Sequence, residues 1–300
     1  MNKSLKDKIK KTIKGKVLFD EPMKLHTSFK IGGPAEAWVE PEDLDSLTRL
    51  IGIIDAEKIS RLTIGAGSNI LVRDEGFRGI VISLSSDYFK TVNTENCRIK
   101  ASAGLKTAKF LKVMAERGLW GLEFMSAIPG TVGGAVMMNA GAKGKTIADL
   151  INRVEVMDET GRIFRLEKRK INFGYRFSGL DGYIILNAYF NLKKRPRDLI
   201  NKDINRYARS KKDSQELDLP NAGSIFKNPS AISYTSAKLI ELSGLKGKNM
   251  GDAQVSLKHA NFIVNLNKAR AKDVIGLIRL IRTRVKMDHG INLELEIKIV

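Results

Sequence analysis

Two hydrophobic periods alternate along the chain. Leu5, Ile9 and Ile13 lie four residues apart between lysines, a spacing that predicts a short amphipathic helix over 3–15. Three aliphatic side chains bury little area, so docking on its own protein is the preferred reading over lying on a membrane surface. Between His26 and Val81, strand-like apolar pieces at 37–39, 62–64 and 79–82 surround one helical stretch at 41–54. Over 107–117, Ala108, Leu111, Met114 and Ala115 fall on one helical face, and Gly118 supplies a C-terminal stop. Short strands recur at 153–157, 162–166 and 183–190, before the basic, proline-interrupted KKRPRDL at 193–199. That stretch predicts a domain break near Arg195 and a helix after it. In the last hundred residues Val274, Leu277, Ile278, Ile281 and Val285 form a helix face. INLELEIKIV then alternates as a terminal strand, which would put Glu294, Glu296 and Lys298 on one face. The pattern is α+β, without internal repeats.

Composition narrows the class. With 300 residues, 43% hydrophobic and 28% charged, the chain has the balance of a globular protein and the length for two or three domains. No apolar run approaches the roughly 20 residues of a membrane span, and the N-terminus lacks the apolar stretch of a secretory signal, so a cytoplasmic protein without membrane insertion is expected. A lone Cys97 and scattered His26, His259 and His289 offer no metal-ligand spacing; no metal is expected. The net charge of +19 favours anionic partners. Its basic residues are spread along the chain and aromatics are only 7%, which argues against a nucleic-acid face.

Several segments carry candidate chemistry. IGAGSNILVRDEGFRGIVI (64–82) places Gly65 and Gly67 after a strand, with Ser68 and Asn69 able to hydrogen-bond a phosphate. It is not the dinucleotide fingerprint, because Ile70 stands where a small residue would be required. GLEFMSAIPGTVGGAVMMNAGAKG (121–144) holds six glycines and one acid, Glu123. Gly130, Thr131, Gly133 and Gly134 after Pro129 would offer a second row of backbone amides, and two such loops suggest a ligand with two phosphates. A glycine-rich packing corner is the alternative. FGYRFS (173–178) joins Tyr175 to Arg176, a pairing suited to a planar carboxylate or phosphate, or simply a surface arginine. NAGSIFKNP (221–229) sets Ser224 in a glycine-bounded turn beside Lys227 and Asn228. It lacks nucleophile-elbow spacing, so acyl chemistry is poorly supported; an N-capping serine is the plain reading.

Taken in order, these segments resemble the UDP-N-acetylenolpyruvoylglucosamine reductases, which make UDP-N-acetylmuramate for peptidoglycan. The resemblance runs through HTSFKIGGPAEAWVEP (26–41), the two glycine-rich segments, FGYRFS, NAGSIFKNP, AKLIELSGLKGKNMGDAQVSLKHANFIVN (237–265) and LELEIKIV, nearly the whole chain after residue 25. His26 replaces the family's more usual asparagine. The absence of an inserted substrate-covering loop points to the shorter subtype.

The resemblance implies an α+β fold: a two-lobed FAD-binding domain of the vanillyl-alcohol-oxidase (PCMH) type, then an α+β substrate domain. Its bounds would be an N-terminal helix at 1–19, lobes at 20–90 and 91–195, and a substrate domain at 196–300 whose last strand returns to the active site. FAD would be the bound cofactor, NADPH the hydride donor and UDP-N-acetylglucosamine enolpyruvate the substrate, with the protein a monomer. FAD contacts are implied at Ile64, Gly65, Ala66, Gly67, Ser68, Asn69 and Ile70. Further contacts are implied at Ala127, Pro129, Gly130, Thr131, Gly133, Gly134, Asn139, Ala140 and Gly141. Ser224 matches the acid that protonates the substrate carbon, and Arg176 and Glu296 the pair that holds the enolpyruvyl carboxylate. Tyr175, Lys227, Asn228 and His259 match substrate contacts; for His259 a hydrogen-bonded core histidine is an equal reading. The nearest alternative is another FAD-linked oxidoreductase of this fold acting on a different alcohol or sugar acid.

The chemistry agrees with these residue types. Hydride addition to an enol ether builds negative charge toward the carboxylate, which a permanent guanidinium and a proton-sharing carboxyl would hold. A serine is a weak acid, so its competence needs a strongly basic intermediate and nearby cations such as Lys227. UDP-sugar and NADPH are polyanions, for which a basic cleft raises encounter rates.

Overall fold

A computed structural model describes residues 1–230 and 232–300, with Ala127 described by its backbone alone. The chain divides into two units that are interleaved in sequence. The first comprises Met1–Glu21, Glu36–Ala66 and Arg78–Arg209; the second comprises Pro22–Ala35, Gly67–Phe77 and Ser210–Val300. This division follows a different line from lobes at 20–90 and 91–195, because two early segments are built into the C-terminal unit.

In the first unit, α1 (Lys3–Thr12) is capped by Asn2 and buries Ile9, with Ile13 following at its C-cap. It packs on α2 (Leu44–Ala56), whose N-cap Asp43 accepts the Ser46 amide at 2.8 Å. The apolar spacing of both helices thus ends in one shared core. A four-stranded sheet runs in the order Gly15–Pro22, Pro34–Pro41, Phe77–Ser83, Arg61–Ile64. Its last pair is parallel, with Leu62 opposite Val81. A five-stranded sheet has the order Ile163–Glu167, Ile151–Met157, Ile184–Asn191, Arg98–Ser102, Val92–Glu95. The helices α3 (Thr107–Glu116) and α4 (Val132–Met137) belong to the same core, contributing Phe110, Met114 and Val136. Beyond α3, Gly118 takes φ +64°, a conformation that suits the stop read from the sequence. Next, α5 (Arg197–Ser214) starts two residues after Arg195.

The second unit carries an antiparallel sheet of Asn221–Ser224, Phe262–Asn265, Ala253–Val255 and Asn249–Met250. Two helices, α6 (Ser236–Leu242) and α7 (Ala271–His289), share its core. The predicted face of α7 is buried from Val274 to Val285. Asp74 accepts the amides of Ala271 and Lys272 at 2.9 and 3.0 Å, closing the N-terminus of α7 from far away in sequence.

The C-terminal segment is stitched on both sides within this unit. On one side, Lys227 N–H donates to Glu294 O and Glu296 N–H to Ile225 O, both at 2.8 Å. On the other, Lys298–Ile299 pairs in parallel with Ile70–Leu71. There Lys298 N–H donates to Asn69 O, Val300 N–H to Leu71 O and Arg73 N–H to Val300 O. The alternating strand expected over 291–300 is therefore two short pieces separated by a bend at 296–297. Glu294 is exposed and Glu296 half-buried, and the bend interrupts the alternation before Lys298, so the continuous face expected for all three is broken. One strand cannot stay straight while changing partners from 225–227 to 69–71.

Deleting residues 298–300 removes three of these bonds, each worth about 0.5–1.5 kcal/mol net. The expected loss is roughly 2–4 kcal/mol, seen as a lower unfolding temperature. An unchanged melting curve would mean that the terminus is not part of the fold.

Candidate active site

In the first unit the strand Arg61–Ile64 ends directly in Gly65. A Cβ on Gly65 would stand 2.5 Å from Thr131 Oγ1, so the two glycine-rich loops meet backbone to side chain. Thr131 caps α4, its Oγ1 accepting the Gly134 amide at 3.3 Å. The loop before it is pinned as well: Thr107 Oγ1 donates to Ile128 O at 2.9 Å, and Thr107 N–H to Gly130 O at 3.1 Å. These bonds decide which amides remain for a ligand. Gly133 N–H is spent on Ala103 O at 2.8 Å and Gly134 on Thr131, so neither joins a free row. Among the described residues, the amides of Gly65, Ala66, Gly130 and Thr131 have no backbone acceptor. Four donors on two touching loops that contain no carboxylate fit a diphosphate. At Ala127, another expected contact, only the backbone is described, in the short turn 123–127.

Further along, the chain enters the second unit. Gly67 has φ +63°, and a Cβ there would fall 2.1 Å from His26 O; Ser28 N–H donates to Gly67 O at 3.1 Å. The Asn69 side chain donates to Glu296 O at 3.0 Å and so is engaged in holding the C-terminal segment. Ile64 and Ile70 have buried side chains, leaving only their backbone for a ligand.

Arg176 sits at the tip of a tight turn in the first unit. Gly174 N–H donates to Phe177 O at 2.9 Å and Phe177 N–H to Gly174 O at 3.3 Å, with Tyr175 and Arg176 between them. Arg176 adopts φ +55°, which costs a non-glycine residue on the order of 1–3 kcal/mol and must be held by its surroundings. Its Nη2 donates to Gly141 O at 3.1 Å, and its guanidinium lies 5.1 Å from the Tyr175 ring centroid. Tyr175 is exposed. Asn139, expected as a cofactor contact, uses its amide inside the protein: Nδ2 donates to Gly174 O and Oδ1 accepts from Ala148 N–H. Ala140 is buried behind it.

Ser224 ends the strand Asn221–Ser224 in the second unit, opposite Phe262. Among the described residues its hydroxyl has no hydrogen-bond partner and it is half-buried. The bridge between Phe226 and Leu295 places Glu296 opposite Ile225, one residue from Ser224. Backbone pairing therefore sets Ser224 and Glu296 one register step apart on neighbouring segments. Lys227 pairs with Glu294 at 3.6 Å, so its charge is partly compensated. Asn228 Oδ1 accepts the Ser236 amide at the start of α6. His259 packs its ring edge-on against Phe262 at 4.7 Å, with Nδ1 buried and unpartnered. Burial pushes its pKa below the usual histidine value, keeping the imidazole neutral at neutral pH.

Reasoning from sequence missed Asn261 and Ser28. Asn261 grips Phe226 on both sides, Nδ2 to Phe226 O at 2.8 Å and Phe226 N–H to Oδ1 at 2.9 Å, which fixes the loop from Ser224 to Lys227. Ser28 Oγ donates to Asn221 O at 2.6 Å. An asparagine in KHANFIVN and a serine in HTSFKIGG were the available signals, but neither residue announces its partner. An open depression of about 270 Å³ on the five-stranded sheet, lined by Lys100, Arg153 and Tyr189, includes none of the expected site residues.

Comparison with known proteins gives two family matches: "FAD binding domain" over residues 35–167, and "UDP-N-acetylenolpyruvoylglucosamine reductase, C-terminal domain" over 215–300. The UDP-N-acetylenolpyruvoylglucosamine reductase of Caldanaerobacter subterraneus subsp. tengcongensis is 43% identical over 303 residues, covering 100% of this chain and 99% of the relative. The like-named protein of Syntrophus aciditrophicus is 41% identical, with 99% and 96% covered. Among solved structures, the UDP-N-acetylenolpyruvylglucosamine reductase of Thermus caldophilus matches with a TM-score of 0.80 and 36% identity, over 96% of this chain and 99% of that one.

Gly65→Ala is expected to weaken FAD binding about tenfold or more, measured by titrating apoprotein and following flavin fluorescence. Gly52→Ala, in α2 with no atom within 4 Å, is the control and should bind normally. Normal binding by Gly65→Ala would remove the case for a cradle where these loops touch.

Proposed function

The chain belongs to the UDP-N-acetylenolpyruvoylglucosamine reductase family, and on that premise we propose that Ser224, Arg176 and Glu296 are the groups with which it reduces UDP-N-acetylglucosamine enolpyruvate. It is an FAD-dependent oxidoreductase of peptidoglycan precursor synthesis that uses NADPH, with the α+β FAD-binding fold of the vanillyl-alcohol-oxidase type. When bound there, FAD would supply the hydride-transfer chemistry between NADPH and the enolpyruvyl group. The amides of Gly65, Ala66, Gly130 and Thr131 would hold its diphosphate.

The observation that carries the catalytic reading is the unpartnered Ser224 hydroxyl, one residue from the backbone position opposite Glu296. A hydroxyl with no internal acceptor keeps its proton available for a basic substrate carbon. Glu296 is fixed by its own amide, bonded to Ile225 O, and by its carbonyl, which accepts from Asn69. Its carboxyl would share a proton with the substrate carboxylate. Arg176, permanently charged and held in a strained turn, would bind the same carboxylate bidentately. Tyr175, Lys227 and Asn228 would contact the rest of the substrate. His259, neutral and packed on Phe262, reads better as support for the Ser224 strand than as a charged contact.

In this reading residues 20–195 carry cofactor and 196–300 carry substrate, in line with family matches over 35–167 and 215–300. The protein would act as a monomer in the cytoplasm, where NADPH is the available reductant. Among the described residues no helix is long and apolar enough to cross a membrane.

Ser224→Ala should leave flavin bleaching by NADPH intact and slow flavin recolouring by the enolpyruvyl substrate by about two to three orders of magnitude in stopped flow. Equal slowing of both half-reactions would refute the assignment.

A further inference from the structure

The segment 137–141, which begins at the last residue of α4, is bonded three times to the arginine turn. Ser178 Oγ donates to Met137 O at 2.8 Å, Asn139 Nδ2 to Gly174 O at 2.8 Å, and Arg176 Nη2 to Gly141 O at 3.1 Å. The other end of α4 begins at Thr131, against which Gly65 packs. A helix of only six residues therefore separates the loop that would hold the diphosphate from the loop that presents Arg176. Both lie in the first unit.

Asn139 is the centre of this arrangement. It is buried, and its backbone has φ +41°, a left-handed conformation that asparagine tolerates better than most residues. Both polar atoms of its side chain are used, Oδ1 accepting from Ala148 N–H at 3.2 Å and Nδ2 closing on Gly174 O. The Gly174 carbonyl also closes the turn, accepting from Phe177 N–H at 3.3 Å. That turn bond is long, and Arg176 within it is strained, so an external donor at 2.8 Å is what keeps the turn in one conformation.

We propose that Asn139 is a positioning residue for the reduction: through Gly174 it fixes the turn that aims Arg176, and it ties that turn to the same short helix that closes the cofactor loop. The proposal rests on Arg176 being the carboxylate-binding group. Misplacing such a group by about 1 Å can cost on the order of a hundredfold in rate.

Two substitutions separate the bonds. Asn139→Gly keeps the backbone conformation available and removes both side-chain bonds. Asn139→Asp keeps the acceptor for Ala148 but loses the donor to Gly174, leaving two oxygens facing each other. Both variants should bind FAD and be reduced by NADPH as the wild type is, while recolouring by substrate slows roughly 10- to 100-fold. Amide exchange in 174–178 should accelerate in both, a change that needs no bound substrate. Arg176→Lys is the reference, and adding Asn139→Gly to it should slow recolouring little further, because coupled residues are not additive. If Arg176→Lys slows recolouring but the Asn139 variants do not, or if the double variant is fully additive, the positioning role is wrong while the Arg176 assignment stands. If Arg176→Lys has no effect, both fall. Parallel losses of FAD affinity and of both half-reactions would also overturn the proposal, since they would make Asn139 a general structural residue.

Discussion

Much of the second unit hangs on how one short piece of backbone spends its hydrogen bonds. Residues 294–300 donate to Ile225 and accept from Lys227 on one side, then change partners and pair with Asn69 and Leu71 on the other. A strand edge left open would present unpaired amides and carbonyls to water, and here both edges are occupied by loops bearing proposed functional residues. The bend at 296–297 is where the exchange of partners takes place. Glu296 is therefore held through its own backbone amide and carbonyl, one on each side.

The same economy appears in the first unit. Gly133 and Gly134 give their amides to Ala103 and Thr131, fixing α4, and this leaves neighbouring amides free at Gly130 and Thr131. Free donors held by spent ones are preorganised for an anion, because no reorganisation is needed when charge arrives. Arg176 follows a related logic: an unfavourable φ is tolerated because three bonds from 137–141 hold the turn and its neighbours. In both units the chemistry is proposed for groups whose backbone is over-determined.

Local features were legible in the sequence. The spacing of Leu5 and Ile9 is a helix, shorter than the expected 3–15 because it ends at Thr12 with Ile13 buried at its extended C-cap, and the α7 face from Val274 to Val285 is buried as expected. Gly65 and Gly67 stand where a side chain would collide with Thr131 or His26, as glycine-rich loops suggest. Residue chemistry alone could flag Arg176 and Ser224 as candidates beside plain readings as a surface arginine and an N-capping serine; the roles of these two and of Glu296 came only through the family resemblance. What could not be read is long-range: Asp74 capping α7 across 197 residues, or Asn265 donating to Phe29 across 236, has no local periodicity. Those pairings are why 22–35 and 67–77 join the C-terminal unit, and why a domain break drawn from composition near Arg195 misses the interleaving. The terminal alternation was read as one strand because period two carries no information about a change of partner.

Site-resolved hydrogen exchange tests the clamp around Glu296 most directly. The amides of Glu296, Lys298 and Val300 should exchange slowly and with one opening free energy, shared with Arg73 and Lys227 across the two seams. Rapid exchange of Lys298 and Val300, as in a frayed chain end, with Arg73 exchanging independently of Lys227, would show that the terminus does not join the two loops and that Glu296 is not held where its proposed chemistry requires.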